Sequence, residues 1–270
     1  MMNQFAPSEP PLLFFDTGIG GLSVLQESRK LISSAPIIYA ADYAGLPYGM
    51  KSETELAARV PALLGRLVER FKPRLVTIAC NTASTIALDH VRSALNIPVV
   101  GTVPALKPAS EMTKTGVIGL LGTQATIRQP YVDRLAAEFA STKTILRFGA
   151  SELVYAAEAK LRGEKVDSRI FSDAIAGLRS QPDGENIDVI VLACTHFPLV
   201  QKELAHAVGR PMRFINGAKG IARRIQHLTK DLEWLNSGDE GLLVTTGALK
   251  DLDPYRAALA RHGLSRLETL

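Results

Sequence analysis

Cysteine is scarce in this chain, with two in 270 residues, and tryptophan occurs once. Two cysteines cannot frame a disulfide-stapled miniature fold, and a chain of this length buries a sizeable hydrophobic core without one. No stretch approaches the roughly 18 uninterrupted apolar residues of a membrane-spanning helix. The opening MMNQFAPSEPP has neither the basic end nor the apolar run of a secretory signal. Charge of one sign is not concentrated either: 31 basic against 27 acidic residues give a net charge of +4, and no basic cluster exceeds Arg223-Arg224. These absences exclude the usual marks of membrane and nucleic-acid partners and lead to the expectation of a cytoplasmic protein. In that reducing compartment a disulfide between Cys80 and Cys194 is not expected, so two free thiols need another explanation.

What the chain does contain is a 46% share of hydrophobic residues in a regular arrangement. Short runs rich in Val, Ile, Leu and Phe (PLLFF, PIIYAA, RLVTIAC, IPVVG, GVIGLLG, KTILRFG, DVIVLAC, MRFIN and GLLVTTG) alternate with amphipathic stretches such as ETELAARVPALLGRLVERF and QPYVDRLAAEFAS. Parallel strands need crossover connections, so this alternation predicts an α/β fold of parallel sheets flanked by helices. The chain also repeats itself weakly. RLVTIACNTAST at 74–85 resembles DVIVLACTHFPL at 188–199, and FFDTGIGGL at 14–22 shares with LLGTQATI at 120–127 a strand followed by a Gly and Thr turn. The similar offsets imply duplication into two similar domains, related by a pseudo-twofold, with the site in the cleft between them. Each cysteine would lie at the carboxyl end of a strand, where ligands bind in such sheets. The first domain is expected over 11–103 plus 218–270, carrying Asp16 and Cys80, and the second over 104–217, carrying Cys194. The boundary falls at Val103-Pro104, and the last segment returns to the first domain because GLLVTTG and the helix DPYRAALARHGL are too little to form a core alone.

A thiol at a helix N-terminus sits in a positive field that favours thiolate and lowers its pKa. Moving a proton off one face of a stereocentre and onto the other needs two such groups, one deprotonated and one protonated. Free cysteine is equally at home as a small core residue, but the polar pairs that follow each Ala-Cys, Asn81-Thr82 and Thr195-His196, favour a ligand site. His196 either exchanges a proton near Cys194 or caps the next helix. The loop Asp16-Thr17-Gly18-Ile19-Gly20-Gly21 follows a strand and precedes a helix, so its backbone N–H groups are placed to cradle a carboxylate; a turn needed only for backbone geometry is the alternative. It is not a dinucleotide fingerprint, because Ser23 stands where the third glycine belongs, nor a Walker loop, which needs Gly-Lys-Ser/Thr. An Asp-Thr-Gly aspartic protease would need a second such loop or a small all-β dimer, which this alternation of strands and helices excludes. The turn Leu46-Pro47-Tyr48-Gly49 puts Tyr48 and Gly49 at the same sheet edge as Asp16.

Taken together, FFDTGIGGLSVL, LPYGMKSE, ACNTAS, GTVPALKPA, AEAKLRGE and LACTHFPL, in this order across residues 11 to 227, resemble the glutamate racemases, most closely the Gram-negative type. The resemblance implies interconversion of L- and D-glutamate without a cofactor or metal, supplying D-glutamate for peptidoglycan. Carried over by position, Cys80 and Cys194 match the two proton donors and acceptors, the first acting on the D- and the second on the L-enantiomer. Asp16 would assist Cys80, and His196 with Glu158 would assist Cys194. Asp16, Thr17, Tyr48, Gly49, Asn81, Thr82, Thr195 and His196 match substrate-binding positions. Backbone donors with the side chains of Asn81, Thr82, Thr126 and Thr195 would hold the two substrate carboxylates. A homodimer and activation by a peptidoglycan-precursor nucleotide are further expectations from the same family. Two departures stand out: Thr17 where most members have Ser, and Asn216-Gly217-Ala218 where the family has Asp-Ser-Gly. A racemase for aspartate or a hydantoin, and a non-catalytic small-molecule binding protein, are the rival readings.

Overall fold

The structure, a computed structural model, describes residues 9–234 and 241–270. The N-terminal segment 1–8, read above for a signal, and residues 235–240 of the expected returning segment lie outside the described residues. Ten strands and eleven α-helices alternate along the described chain. The first sheet collects β1 (Leu12–Asp16), α1 (Leu22–Leu31), β2 (Ile37–Ala41), α2 (Glu53–Phe71), β3 (Leu75–Ile78), α3 (Asn81–Ala94) and β4 (Val99–Gly101). The second collects α4 (Leu106–Met112), β5 (Val117–Gly122), α5 (Gln124–Ile127), α6 (Pro130–Phe139), β6 (Thr144–Gly149), α7 (Glu152–Leu161), α8 (Arg169–Arg179), β7 (Val189–Ala193), α9 (Gln201–Val208) and β8 (Arg213–Ile215). The chain then continues through α10 (Ala218–Leu228), β9 (Gly241–Thr245), α11 (Arg256–Arg261) and β10 (Leu264–Thr269).

Every strand pairing is parallel. The orders are β10-β9-β2-β1-β3-β4 and β6-β5-β7-β8. Within them β2-β1-β3-β4 and β6-β5-β7-β8 are the same arrangement, which is the internal repeat made visible. Helices cover both faces, so strands have no solvated side and read as unbroken apolar runs; β1, β2, β3, β5 and β7 are buried at every position. The first sheet has a core on each face, one holding Phe14, Ile19 and Tyr39, the other Phe15, Tyr48 and Val60. Ala218, Ile221 and Ile225 of α10 join the former, which is how the chain docks back onto the first sheet after β8.

Local sequence sets these elements. In α2 the apolar positions Leu56, Val60, Leu64, Leu67 and Phe71 form one buried stripe. Ser52 caps its start by accepting from Glu55 N at 3.2 Å, and Lys72 ends it in the left-handed conformation at φ 46°. At the start of α10, Ala218 N donates to Asn216 Oδ1 at 3.0 Å, so the carboxamide still accepts at the helix start that the family's aspartate would occupy. One strand was not among the nine expected: β10, whose residues LSRLET are largely exposed on a sheet edge.

Candidate active site

In each sheet the central strand and one neighbour, β1 with β3 and β5 with β7, send their connections in opposite directions, which opens a crevice at their carboxyl ends. Asp16 ends β1, Cys80 follows β3, Thr123 follows β5 and Cys194 follows β7. Both cysteines are free and buried. Cys80 is the extended N-cap residue of α3, at φ −136° and ψ 120°. Cys194 is instead followed by Thr195 and His196 in a turn and by a 3-10 segment, Phe197–Val200, before α9 begins. The mirrored helix-start setting expected for both thiols therefore holds for Cys80 alone.

On the Cys80 side Asp16 is fully buried. Its Oδ1 accepts from Thr17 N at 2.8 Å and its Oδ2 from Gly21 N at 2.6 Å. Burial pushes its carboxyl up from 3.8 to about 6, against the opposing pull of His196 and these two N–H groups. Burial and the adjacent Asp16 charge push the Cys80 thiol well above its ordinary value, and the charge of Cys194 adds to this. The expected lowering by the helix field does not occur. The Ala83 N–H acts in that direction but is outweighed by desolvation, because the helix start lies inside the protein rather than in water.

On the other side, His196 Nδ1 lies 4.0 Å from Cys194 Sγ, and its Nε2 lies 2.8 Å from Glu158 Oε1. Burial alone would lower the imidazole pKa, but the bonds and charges of Cys194 and Glu158 raise it well above 6.5, which favours the protonated ring. Glu158, although buried, is held below the usual carboxylate range by His196, Tyr255 and the Ile19 N–H. The Ile19 N–H reaches Glu158 Oε1 at 3.3 Å, and the Tyr43 hydroxyl donates to Oε2 at 3.0 Å. The glycine-rich loop does cradle carboxylates, but those of Asp16 and Glu158. The lack of side chains on it has a separate cause: a Cβ on Gly20 would come within 2.6 Å of His196 Cγ, and one on Gly18 within 2.6 Å of Glu158 Oε1.

The two halves meet across the site through hydroxyls. Thr82, Thr123 and Thr126 form a closed triangle with each Oγ1 pair 3.0 Å apart. Thr195 Oγ1 points to Asp16 Oδ2 at 3.5 Å, and Ser23 Oγ donates to Thr195 O at 3.1 Å. Thr17 Oγ1 is buried with no hydrogen-bond partner among the described residues, which makes it a candidate to bind a ligand, and Asn81 is buried beside Cys80. The Tyr48 hydroxyl is turned to Asp42 Oδ2 at 2.5 Å, where Arg59 and Thr246 also bind. The Tyr48 phenol is thus engaged within its own turn, while Gly49 abuts Thr123, whose Cβ would be 2.8 Å from an added Cβ. The sequence reading did not single out Thr123, Tyr43, Asp42 or Tyr255. Thr123 alone left a signal, as the Thr of the repeated Gly and Thr turn.

Residues 23–225 match the family model described as Asp/Glu/Hydantoin racemase. The chain is 62% identical over 269 residues to the glutamate racemase of Sphingopyxis alaskensis, covering 100% of both chains. It is 41% identical over 265 residues to that of Pectobacterium carotovorum, covering 98% of this chain and 92% of the relative. The crystal structure of Escherichia coli glutamate racemase in complex with L-glutamate and the activator UDP-MurNAc-Ala superposes with a TM-score of 0.88 at 37% identity, covering 97% of this chain and 98% of that one.

Proposed function

Because the chain belongs to the Asp/Glu/Hydantoin racemase family and is therefore an amino-acid racemase, an isomerase, we propose that it interconverts L- and D-glutamate by two-thiol proton transfer. The observation that carries this is the pairing of two buried free cysteines with different partners, Asp16 for Cys80 and His196–Glu158 for Cys194. In the L-to-D direction the Cys194 thiolate, beside the protonated His196, removes the α-proton, and the Cys80 thiol delivers its proton to the opposite face. In the reverse direction Cys80 must be the base. Asp16, with a pKa near 6, is suited to take the Cys80 proton at neutral pH. Acidity at the α-carbon comes from fixed dipoles in a desolvated site. The free Thr17 hydroxyl, Gly49, Asn81, the threonine triangle and Thr195 hold the substrate carboxylates and ammonium.

The roles given to Asp16, Glu158 and His196, the division at 103/104 and 217/218, and the supply of D-glutamate for peptidoglycan in the cytoplasm belong to the same reading. The test follows loss of optical activity from L- and from D-glutamate by the purified chain, reduced and without pyridoxal phosphate. Both enantiomers should racemise, and Cys80→Ser and Cys194→Ser should each abolish it; activity on aspartate alone would reject glutamate as substrate. The activator named in the E. coli structure makes a peptidoglycan-precursor nucleotide the effector to try: racemisation should rise with UDP-MurNAc-Ala, and an unchanged rate rejects that part. A homodimer is checked by light scattering of the eluted protein.

A further inference from the structure

Resting on that two-thiol reading, we propose that Tyr43 and Tyr255 are positioning residues for the Cys194 side of the reaction, their hydroxyls holding the Glu158 carboxylate where it fixes His196 beside the sulfur. Neither tyrosine belongs to the part of the chain that carries Cys194. Tyr43 opens the 3-10 turn Tyr43–Gly45 after β2, and Tyr255 closes the 3-10 segment Leu249–Tyr255 near the C-terminus. Glu158 is on α7, next to the second sheet.

The carboxylate divides its two oxygens between two tasks. Oε1 takes His196 Nε2 at 2.8 Å and the Ile19 N–H at 3.3 Å, and Oε2 takes the Tyr43 hydroxyl at 3.0 Å. The Tyr255 hydroxyl bears on both Glu158 and Tyr43, and the two rings lie 6.0 Å apart between centroids. Arg162, the C-cap residue of α7 and one turn beyond Glu158, donates through Nη1 into the Tyr255 oxygen at 2.6 Å. Accepting that bond leaves the Tyr255 phenolic proton available for a bond of its own. Arg162 is itself held by Glu164 at 2.6 and 2.7 Å. Burial, then the Glu158 charge, pushes the Tyr43 phenol far up and that of Tyr255 to about 12, so both remain donors through any working pH. A buried carboxylate that loses a donor turns toward those it keeps. Here the loss leaves Oε2 unanchored, so the carboxylate is no longer held in one orientation and Oε1 no longer fixes His196 in one position. The first domain and the C-terminal segment thereby set the geometry of an acid–base pair carried by the second.

The test uses the full chain with Tyr43→Phe and, separately, Tyr255→Phe, which keep the buried rings. Each should lower kcat/KM about tenfold, the scale of one hydrogen bond to a charged group. The deciding readout is the primary isotope effect on kcat/KM with glutamate deuterated at the α-carbon. Weakening the Cys194 side makes proton transfer at the L-face more limiting. The effect should therefore grow with deuterated L-glutamate and shrink with deuterated D-glutamate. Being a ratio, it does not depend on how much of a variant is folded. Isotope effects equal to those of the unaltered chain, in both variants, overturn the assignment. If Cys194→Ser still racemises glutamate, the two-thiol reading fails and takes this one with it. If Cys194→Ser is dead and the isotope effects do not move, only the tyrosines lose their role.

Discussion

Asp16 is a carboxyl whose functional and stabilising preferences oppose each other. Its pKa is raised from 3.8 to about 6 by burial, so the folded state favours the protonated form. The stability this gives is complete below about pH 4 and is lost as pH rises through about 6. At about 1.4 kcal/mol per pH unit the displacement amounts to about 3 kcal/mol. The stability of the unaltered chain relative to Asp16→Asn should thus fall by about that amount between pH 4 and pH 8, as measured by urea unfolding. Activity should run the other way: kcat/KM falls below about pH 6 as Asp16 gains its proton, and Asp16→Asn lacks this limb of the profile. Gly20 is the other telling residue. Gly20→Ala places a methyl within 2.6 Å of His196 Cγ, so racemisation should fall by about a hundredfold or more, while overpacking costs about 1–3 kcal/mol. A glycine loop after a first strand is easily read as an anion cradle. That a histidine from the other half packs on it is not legible locally, since the two are far apart in sequence.

At the scale of the element, α2 was legible from end to end because its apolar stripe, its cap and its length agree. Ser52→Ala should remove the bond to Glu55 N and cost about 1 kcal/mol, seen as a fall of about 2–4 °C in the melting midpoint with KM unchanged. Strand β10 was not legible. Only Leu264 of its six residues is buried, so LSRLET carries neither the apolar run of its neighbours nor a clean alternation. It is a strand because β9 offers it a hydrogen-bonding edge, in a register that shifts between Leu264 and Arg266. Cys80 makes a related point: its place at a helix start was readable, but the sign of its pKa displacement depended on how deeply that start is buried.

For the whole molecule, the candidate site forms where the shared four-strand arrangements of the two sheets, β2-β1-β3-β4 and β6-β5-β7-β8, bring their crevices together. The threonine triangle closes across that junction, Thr82 from α3 meeting Thr123 and Thr126 at α5. Thr123→Val keeps the shape and leaves two buried hydroxyls each short of a partner, at a cost of about 1–3 kcal/mol. Racemisation should drop about tenfold or more, with the loss shared between kcat and KM; unchanged kinetics would make the triangle a packing feature only.

The sequence by itself determined the alternation of strand and helix, the repeat, and the carboxyl-end placement of Asp16, Cys80 and Cys194, because each is written in runs of neighbouring residues. Tertiary structure alone decided how deeply each thiol and carboxyl is buried, that the Asp16 carboxyl is pushed up to about 6, and that Tyr43, Thr123 and Tyr255 reach the site. Those properties come from burial and from contacts between residues distant in the chain, and neither burial depth nor such distances has a local signature.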